Sequence, residues 1–458
     1  MKIHLIACGG AVMHNMTIAL HKKGYEVTGS DDEIFDPAKS RLASHGLLPE
    51  KWGWFPEKIT KDIDVIILGM HARIDNPELQ KAKELGLQIF SFPEYLYEQS
   101  KDKTRVVIGG SHGKTTITSM IMHVLNDLNI DFDYMVGAQI EGFDTMVKIT
   151  EQAKITILEG DEYLSSPIDL RPKFHLYKAH IGVISGIAWD HMNVFPTFDI
   201  YKDQFSIFID SMIEKGSLIY CNEDAEVKAV VEKSKKLVDK MPYSGLKYEV
   251  VNEETIVNIG GRKTPVKVFG QHNMQNMNAA YLVCKQLGVG DEQFAESISK
   301  FKGAARRLEL IARQNGFVMY KDFAHSPSKL NATVKAVKEQ FPNKHIIACM
   351  ELHTFSSLNA AFLSNYANTM DNADEAIVYF NPHTIAHKKL EFISANQVKE
   401  AFANDDLKIF ESSSVLLEEL MAKDYSNTVL LMMSSGNFDG FDLKKISENI
   451  ILKKCCPK

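Results

Sequence analysis

The spacing of glycine, lysine and threonine in residues 109–116, GGSHGKTT, predicts a loop that binds phosphate. Glycines allow backbone N–H groups to close around an anion, and the ammonium group of Lys114 adds a full positive charge. The hydroxyl of Thr115 is placed to bind Mg²⁺ beside the phosphates. The candidate nucleotide-binding residues of this loop are Gly110, Ser111, His112, Gly113, Lys114, Thr115 and Thr116.

A strand and a helix must flank such a loop, and the sequence predicts both. Residues 106–108 are an apolar run that breaks at two glycines, which is typical of a buried strand. After the loop, apolar residues recur at helical spacing; they are Ile117, Met120, Ile121, Val124 and Leu125. Ile108 stands where the usual G-x-x-x-x-G-K-[ST] pattern has its first glycine, so an ordinary glycine turn before a helix is the alternative.

Acidic residues and a histidine follow two further predicted strands. Residues 155–158 lead into the sequence EGDE at 159–162, and residues 181–185 lead towards Asp190 and His191. Polar groups at the carboxyl ends of buried strands are typical of metal or phosphate sites in open α/β sheets. Asp190 and His191 are therefore either metal ligands or a structural hydrogen-bonded pair.

A second glycine turn lies near the N-terminus, where residues 1–100 predict a small α/β unit. A predicted strand at residues 3–7 precedes Gly9 and Gly10, and Asp31 follows the next strand about 20 residues later, where a Rossmann fold binds a ribose. A purely structural module is the alternative, because other residues stand where glycines are expected; they are Ala7, Val12 and His14.

The remaining elements predict an α/β protein. Residues 65–69 and 89–92 read as further buried strands of the first unit, and the polar segment 98–103 reads as a linker. Residues 223–267 predict short antiparallel strands. The third unit predicts a parallel sheet, because apolar strands alternate with helical stretches; these strands are residues 345–350, 376–380 and 429–433.

Composition excludes several classes of protein. The chain has 458 residues, 45% of them hydrophobic, and its net charge of −7 argues against a nucleic-acid binder. The N-terminal apolar run is too short for a signal peptide or a membrane span, so no membrane insertion is expected. The six cysteines form no C-x-x-C pair, which predicts reduced thiols in a cytoplasmic protein.

Taken in order along the chain, these motifs resemble those of the Mur ligase family, ATP-dependent ligases that build the peptide of peptidoglycan precursors. The resemblance covers essentially the whole length. The motifs that carry it are residues 110–116, residues 159–163, Asp190 with His191, His272 and Asn273 with Asn276, Arg306 with Arg307, and residues 322–327.

The family resemblance implies three α/β domains. A Rossmann-like N-terminal domain, residues 1–100, would bind the UDP-sugar. A central P-loop ATPase domain with a mostly parallel sheet would span residues 101–311. A Rossmann-like C-terminal domain, residues 312–458, would receive the amino acid or peptide, and ATP would lie between the second and third domains.

The resemblance also implies the roles of individual residues. Thr115 and Glu159 would bind one Mg²⁺, and Glu159 and His191 a second. The implied catalytic residues are Lys114, Glu159, His191 and Arg307. The implied ATP contacts outside the loop are His272, Asn273 and Asn276 for adenine, Arg307 for the γ-phosphate and Asp322 for the ribose. Lys202 lies near a lysine that some members carbamylate, and an exposed helical lysine is the alternative.

The implied substrates are UDP-N-acetylmuramate and an amine. One family member adds L-alanine, and another adds the salvaged tripeptide L-alanyl-γ-D-glutamyl-meso-diaminopimelate. The sequence is more similar to the tripeptide ligase, for example at Glu351 and at residues 434–438, although His353 stands where that ligase has an arginine. The candidate substrate contacts are Ser30, Asp31, His71, His325, His353 and Asn437.

Two hypotheses from other classes stay open at this point. A dinucleotide-dependent oxidoreductase would use Gly9, Gly10 and Asp31 but leaves the Gly113-Lys114 loop unexplained. A P-loop switch protein would need neither the first nor the third α/β unit. The sequence gives no oligomeric state.

Overall fold

A computed structural model describes residues 1–192, 194–304 and 307–455, without the side chains of the last two of these residues. This part of the chain divides into two compact units. The first comprises residues 1–246 with 275–298, and the second residues 247–274 with 299–458. None of the helices in the described ranges is long and apolar enough to cross a membrane.

The first unit begins with a four-stranded parallel sheet in the order β2-β1-β3-β4. Its strands are β1 (Lys2–Ile6), β2 (Glu26–Ser30), β3 (Val65–Leu68) and β4 (Gln88–Ser91). Its helices are α1 (Ala11–Lys22), α2 (Ala38–Ser44), α3 (Pro77–Glu84) and α4 (Phe92–Glu98), with a short 3₁₀ helix at Pro56–Lys58.

One strand of this sheet differs from the sequence prediction. The strand predicted at residues 89–92 is only half-buried and ends at Ser91. It is half-buried because β4 lies at the edge of the sheet, with a single neighbour, β3. It ends early because Ser91 caps helix α4, with its hydroxyl accepting from the backbone N–H of Glu94.

A seven-stranded sheet follows in the order β13-β12-β11-β5-β8-β6-β7, and only β7 runs antiparallel to its neighbour. The strands are β5 (Thr104–Gly109), β6 (Asp133–Met135), β7 (Val147–Lys148), β8 (Ile155–Glu159), β11 (Ile181–Ile184), β12 (Ser217–Cys221) and β13 (Asp239–Tyr243). β9 (Leu164–Ser166) and β10 (Asp169–Pro172) form a separate antiparallel pair. The helices are α5 (Lys114–Asp127), α6 (Lys173–Leu176), α7 (Phe198–Ser211) and α8 (Ala225–Lys233).

The position of β5 at the centre of this sheet explains its composition. Val106, Val107 and Ile108 are fully buried because β8 and β11 flank the strand. Central strands of parallel sheets are covered on both faces, so they are apolar without alternation. The carboxyl ends of β5, β8 and β11 therefore bring the predicted phosphate loop, the EGDE sequence and the segment towards His191 to the same edge of the sheet.

Helix α9 (Gln271–Gln286) begins in the second unit and continues into the first, where α10 (Asp291–Ile298) follows it. The second unit also contains the antiparallel sheet predicted from the sequence. It is formed by β14 (Tyr248–Val251), β15 (Glu254–Ile259) and β16 (Arg262–Val266).

The main sheet of the second unit has the order β17-β18-β22-β19-β20-β21 and is parallel except for β17. Its strands are β17 (Glu309–Gln314), β18 (Phe317–Asp322), β19 (His345–Leu352), β20 (Glu375–Phe380), β21 (Lys408–Phe410) and β22 (Thr428–Met433). Its helices are α11 (Pro327–Gln340), α12 (Ala360–Leu363), α13 (Pro382–His387), α14 (Ala395–Phe402), α15 (Ser413–Ala422) and α16 (Leu443–Cys455), with a 3₁₀ turn at Ser364–Tyr366. The predicted α/β class with mostly parallel sheets is confirmed.

Candidate active site

The loop between β5 and α5 has the backbone that a phosphate cradle requires. Gly110 and Gly113 have φ angles of 132° and 80°, a region that side chains other than hydrogen disfavour. A Cβ atom at Gly110 would also lie 3.0 Å from the backbone nitrogen of Ser185. Helix α5 begins at Lys114, so its N-terminal N–H groups and partial positive charge face the loop.

The ammonium group of Lys114 is held across this loop. Its Nζ atom donates to the carbonyl of Gly110 at 2.7 Å and lies 2.6 Å from Oε2 of Glu162. Burial alone would lower the pKa of Lys114, but the charges of Glu162 and Asp161 outweigh it and raise the pKa above its usual value. The loop therefore keeps a full positive charge at neutral pH.

Thr115 and Glu159 lie together, as the predicted metal site requires. The hydroxyl of Thr115 donates to Oε1 of Glu159 at 3.1 Å, and the backbone N–H of Gly137 donates to Oε2 at 3.0 Å. Burial raises the pKa of Glu159. A hydroxyl and a carboxylate oxygen at this separation fit a hard cation such as Mg²⁺.

His191 contacts a different acidic residue. Its Nε2 atom lies 3.8 Å from Oε1 of Glu162, and its ring packs edge-on against Tyr163 at 5.0 Å. Oxygen or nitrogen atoms of Asp161, Glu162 and His191 all lie within 4.8 Å of one another. The shared ion between Glu159 and His191 stays a prediction.

Asp161 is ionised and paired with a lysine. Nζ of Lys173 lies 2.6 Å from Oδ2 of Asp161. Burial would raise the pKa of Asp161, but Lys173 and Lys114 lower it to about 2. The edge of the sheet thus carries two ion pairs, Lys114 with Glu162 and Lys173 with Asp161.

The other predicted loop residues also lie at this edge. The backbone carbonyl of His112 accepts a hydrogen bond from the hydroxyl of Ser185, and Thr116 is buried in the first turn of α5. A Cβ atom at Gly113 would collide with the amide oxygen of Asn276, which places this predicted adenine contact beside the loop.

The N-terminal glycine turn brings together three predicted substrate residues. The backbone N–H of Gly9 donates to Oδ2 of Asp31 at 2.6 Å, and Ser30 is buried at the end of β2. A Cβ atom at Gly10 would lie 3.8 Å from Nδ1 of His71. Burial raises the pKa of the Asp31 carboxyl to about 6.

In the second unit, Asp322 is buried and already hydrogen-bonded. Its two carboxylate oxygens accept from the backbone N–H groups of Leu308 and Ala324, both at 2.7 Å. Burial raises the pKa of Asp322, although the nearby charge of Arg307 opposes this. The guanidinium of Arg307 lies 4.8 Å from the ring centroid of Phe323.

Two further predicted ATP contacts, His272 and Asn273, lie at the start of α9. The side-chain amide of Asn273 donates to the carbonyl of Phe269 at 2.8 Å. His272 lies next to Gly270, where a Cβ atom would be 3.2 Å from the His272 ring. Arg306, which completes the predicted arginine pair, lies outside the described residues.

A buried carboxylate connects His353 to the loop after β22. Oε1 of Glu351 lies 3.5 Å from Nδ1 of His353, and Oε2 accepts from the backbone N–H of Phe438 at 2.9 Å and from the hydroxyl of Ser434. Asn437, the next predicted substrate residue, precedes Phe438 and accepts at Oδ1 from the N–H of Gly440 at 3.1 Å.

His325, the last predicted substrate contact, lies after the neighbouring strand β18. Its Nδ1 atom donates to the carbonyl of Phe323 at 2.7 Å, and its own carbonyl accepts from the hydroxyl of Tyr366 at 2.5 Å.

Models of protein families match most of the chain. Three models match in order: the Mur ligase family catalytic domain at residues 2–104, the Mur ligase middle domain at 108–284, and the Mur ligase glutamate ligase domain at 306–436. The UDP-N-acetylmuramate–L-alanine ligase of Caldicellulosiruptor bescii is 30% identical over 395 residues, which are 82% of this chain and 83% of that protein. The chain belongs to the Mur ligase family.

Other relatives extend the likeness over nearly the whole chain. The UDP-N-acetylmuramate–L-alanine ligase of Sulfurihydrogenibium is 28% identical and covers 95% of both chains. A murein peptide ligase from Psychrobacter arcticus has a TM-score of 0.65 at 19% identity and covers 99% of this chain and 98% of its own. The alanine ligase of Thermotoga maritima has a TM-score of 0.69 at 20% identity and covers all of both chains. At these identities the solved structures support the fold alone.

As a Mur ligase, the chain is an ATP-dependent ligase of peptidoglycan synthesis, which confirms the predicted enzyme class. In this Mur ligase, Asp161 and Glu162 were expected only as part of the acidic sequence at a metal or phosphate site, and Tyr201 was not expected at the site. The EGDE sequence at the end of β8 identifies these two residues as a group, but it does not give their separate partners Lys173 and Lys114. Tyr201 carries no such signal, since it lies on the buried face of α7 among other aromatic residues.

Proposed function

We propose that this Mur ligase uses ATP and Mg²⁺ to join the lactyl carboxylate of UDP-N-acetylmuramate to the tripeptide L-alanyl-γ-D-glutamyl-meso-diaminopimelate. The observation that supports phosphoryl transfer is the paired arrangement of Lys114 and Glu162 over the glycine loop. The observations offered for a multiply charged amine substrate are the contact of His353 with Glu351 and the contact of Lys388 with the ring of Phe355.

The chemistry explains why ATP is needed. A carboxylate has no usable leaving group, so it does not form an amide with an amine at neutral pH. Transfer of the γ-phosphoryl group to the lactyl carboxylate gives an acyl phosphate, which the amine attacks. The tetrahedral intermediate then collapses to the amide and inorganic phosphate.

The residues of the first unit fit the activation step. Lys114 would stabilise the negative charge that spreads over the phosphoryl oxygens in both transition states. Thr115 and Glu159 would hold Mg²⁺, which neutralises phosphate charge when it is bound. His191 would bind a second ion or orient Glu162, and Ser30, Asp31 and His71 would contact the UDP-sugar.

The family resemblance implies further ATP contacts in α9 and in the second unit. His272, Asn273 and Asn276 would contact adenine, and Arg307 would bind the γ-phosphate. Both carboxylate oxygens of Asp322 already accept backbone N–H groups, from Leu308 and Ala324. Asp322 would therefore position the ribose indirectly, by holding this backbone in place.

The second unit also offers several groups for the carboxylates of a peptide. His353 lies beside the buried Glu351, and two residues later the exposed ring of Phe355 lies 4.4 Å from Nζ of Lys388. Free L-alanine has one carboxylate, whereas the tripeptide has three and therefore needs more cationic partners. His325 and Asn437 would add hydrogen bonds. The alternative, ligation of L-alanine, has the support of the relatives' names.

Initial rates of phosphate release with ATP, Mg²⁺ and UDP-N-acetylmuramate distinguish these amines. We expect kcat/KM for the tripeptide to exceed that for L-alanine. A much higher kcat/KM for L-alanine would overturn the proposed amine and establish the alternative. Phosphate release that does not depend on UDP-N-acetylmuramate would overturn the proposed acceptor.

A paired substitution tests Lys388 as a contact of the tripeptide. Lys388→Gln should raise KM for the tripeptide several-fold, as loss of a charge-assisted hydrogen bond does, with KM for ATP unchanged. Lys389→Gln, at the exposed neighbouring position, is the matched control. Equal tripeptide KM values for the two variants would remove Lys388 from the proposed site.

A further inference from the structure

A continuous series of hydrogen bonds leads from the phosphate loop through helix α7 and back to the loop. The backbone N–H of Ala188 donates to Oγ of Ser111 at 2.8 Å, and this Oγ lies 2.7 Å from the hydroxyl of Tyr201. The Tyr201 hydroxyl lies 2.9 Å from Oε1 of Glu162. The other oxygen of Glu162 binds Lys114, which returns to the carbonyl of Gly110, next to Ser111.

The direction of each hydrogen bond follows from the chemistry of the groups. A carboxylate only accepts, so the Tyr201 hydroxyl must donate to Glu162. The Tyr201 oxygen then accepts from the hydroxyl of Ser111, whose oxygen accepts in turn from the N–H of Ala188. The hydroxyl of Tyr201 therefore cannot be removed without leaving Ser111 and Glu162 each short of a partner.

Packing fixes the position of this hydroxyl. Tyr201 and Glu162 are fully buried, and the Tyr201 ring lies edge-on between Phe195 and Phe205, with centroid distances of 5.5 and 5.4 Å. Burial, followed by the charge of Glu162, raises the pKa of Tyr201 far above neutral pH. The group thus stays protonated and keeps donating to Glu162.

We propose that Tyr201 is a positioning residue of the phosphate site, and that its hydroxyl orients Glu162 and Ser111 so that Lys114 is held over the loop for the incoming nucleotide. The proposal rests on the proposed function only in taking a nucleotide as the phosphoryl donor. Without the hydroxyl, Glu162 is free to turn fully towards Lys114. The tighter ion pair would then compete with the phosphates for the ammonium group.

Tyr201→Phe tests this directly, and the chain offers a matched control. Tyr177 is also fully buried in the same hydrophobic core, but its hydroxyl has no hydrogen-bond partner among the described residues. Calorimetric titration with ADP and Mg²⁺ measures binding without turnover. Tyr201→Phe should raise the ADP Kd about tenfold and lower kcat, as expected for a lost hydrogen bond to a charged group, with KM for UDP-N-acetylmuramate unchanged. Tyr177→Phe should match the wild type.

Unchanged ADP affinity and kcat in a folded Tyr201→Phe protein would overturn the proposal, as would an equal loss in Tyr177→Phe. If Tyr201→Phe does not fold, Ser111→Ala removes the hydrogen bond between Ser111 and Tyr201 from the other side. Wild-type ADP affinity in that variant would overturn the proposal. Failure of the proposed function gives a different result. The wild type would then be inactive with the tripeptide, but the ADP affinities of Tyr201→Phe and Tyr177→Phe would still differ.

Discussion

The phosphate loop of the first unit and the strand ends of the second unit both gather charged groups at the carboxyl edge of a parallel sheet, but they neutralise them differently. Around the loop, carboxylates have a full cation or a predicted metal partner, as in the pairs of Lys114 with Glu162 and Lys173 with Asp161. In the second unit, the buried Glu351 accepts from a hydroxyl and a backbone N–H and lies beside His353 rather than beside a lysine.

This difference matches the two halves of the proposed reaction. Phosphoryl transfer needs fixed positive charge, and a lysine held between a carboxylate and a carbonyl supplies it at any ordinary pH. Recognition of an amine substrate needs groups that differ among family members. The first region should therefore control activation and the second region selectivity.

The largest expected effect is that of Lys114→Ala, which removes the full cation of the loop. We expect kcat to fall by about 10²-fold or more, as for removal of one electrostatic stabiliser of a transition state. Thermal unfolding checks that the variant is folded. Near-wild-type kcat in a folded variant would contradict the assignment of the loop.

Substitution of the metal-binding carboxylate should have the next largest effect. Glu159→Gln should raise the Mg²⁺ concentration needed for half-maximal velocity by about tenfold or more, with binding of UDP-N-acetylmuramate unchanged. His191→Ala should likewise raise the Mg²⁺ concentration needed for half-maximal velocity. If both variants keep the wild-type Mg²⁺ dependence, Asp190 and His191 are a structural pair.

A smaller and more selective effect is expected in the second unit. His353→Ala should raise KM for the tripeptide about tenfold, as expected for one hydrogen bond to a charged group. KM for ATP should stay at the wild-type value, as measured by varying each substrate in turn. An equal change in both KM values would mean that His353 does not discriminate between the two halves of the reaction.

The smallest effect at neutral pH concerns a neutral histidine in the core behind the loop. His175 is buried, its Nε2–H donates to the carbonyl of Gln204 at 2.7 Å, and burial lowers its pKa from 6.5 to about 4. The unfolded chain therefore takes up a proton at a higher pH than the folded chain does. The contribution of neutral His175 to stability is complete above pH 6.5 and is lost as the pH falls to about 4.

Denaturant unfolding of His175→Gln and of the wild type measures this loss. Between pH 7 and pH 4, the unfolding free energy of the wild type should fall by about 3 kcal/mol relative to that of the variant. His387→Gln, at an exposed position of the second unit, is the control. A constant difference over this pH range would contradict the lowered pKa.

The fold and the phosphate loop could be predicted from sequence because their signals are local. The apolar run of β5, the glycines with positive φ and the apolar spacing of α5 lie within about two dozen residues, where periodicity identifies strands and helices. Strand β4 was predicted, but as a buried strand, because its place at the sheet edge depends on the order of the strands. Asp322 was recognised as a motif residue, but its backbone partners at Leu308 and Ala324 were not foreseeable from spacing.

The connections between side chains were the least predictable part of the candidate site. Tyr201 contacts Ser111 and Glu162, which are distant in sequence, and its own segment reads only as the buried face of a helix. The pairing of His191 with Glu162 likewise depends on the segments that follow β11 and β8, the two strands on either side of β5. Family resemblance identified Ser111 and His191, and only the three-dimensional contacts showed Tyr201 and gave these residues their partners.

Trapping of the acyl phosphate tests most directly whether activation depends on Lys114 of the first region and not on His353 of the second. With ATP, Mg²⁺ and UDP-N-acetylmuramate but no amine substrate, hydroxylamine should attack the acyl phosphate and give the hydroxamate and inorganic phosphate. The wild type and His353→Ala should form this hydroxamate at similar rates, and Lys114→Ala should form about 10²-fold less. Absence of hydroxamate with the wild type, or an equal loss in His353→Ala and Lys114→Ala, would contradict the account.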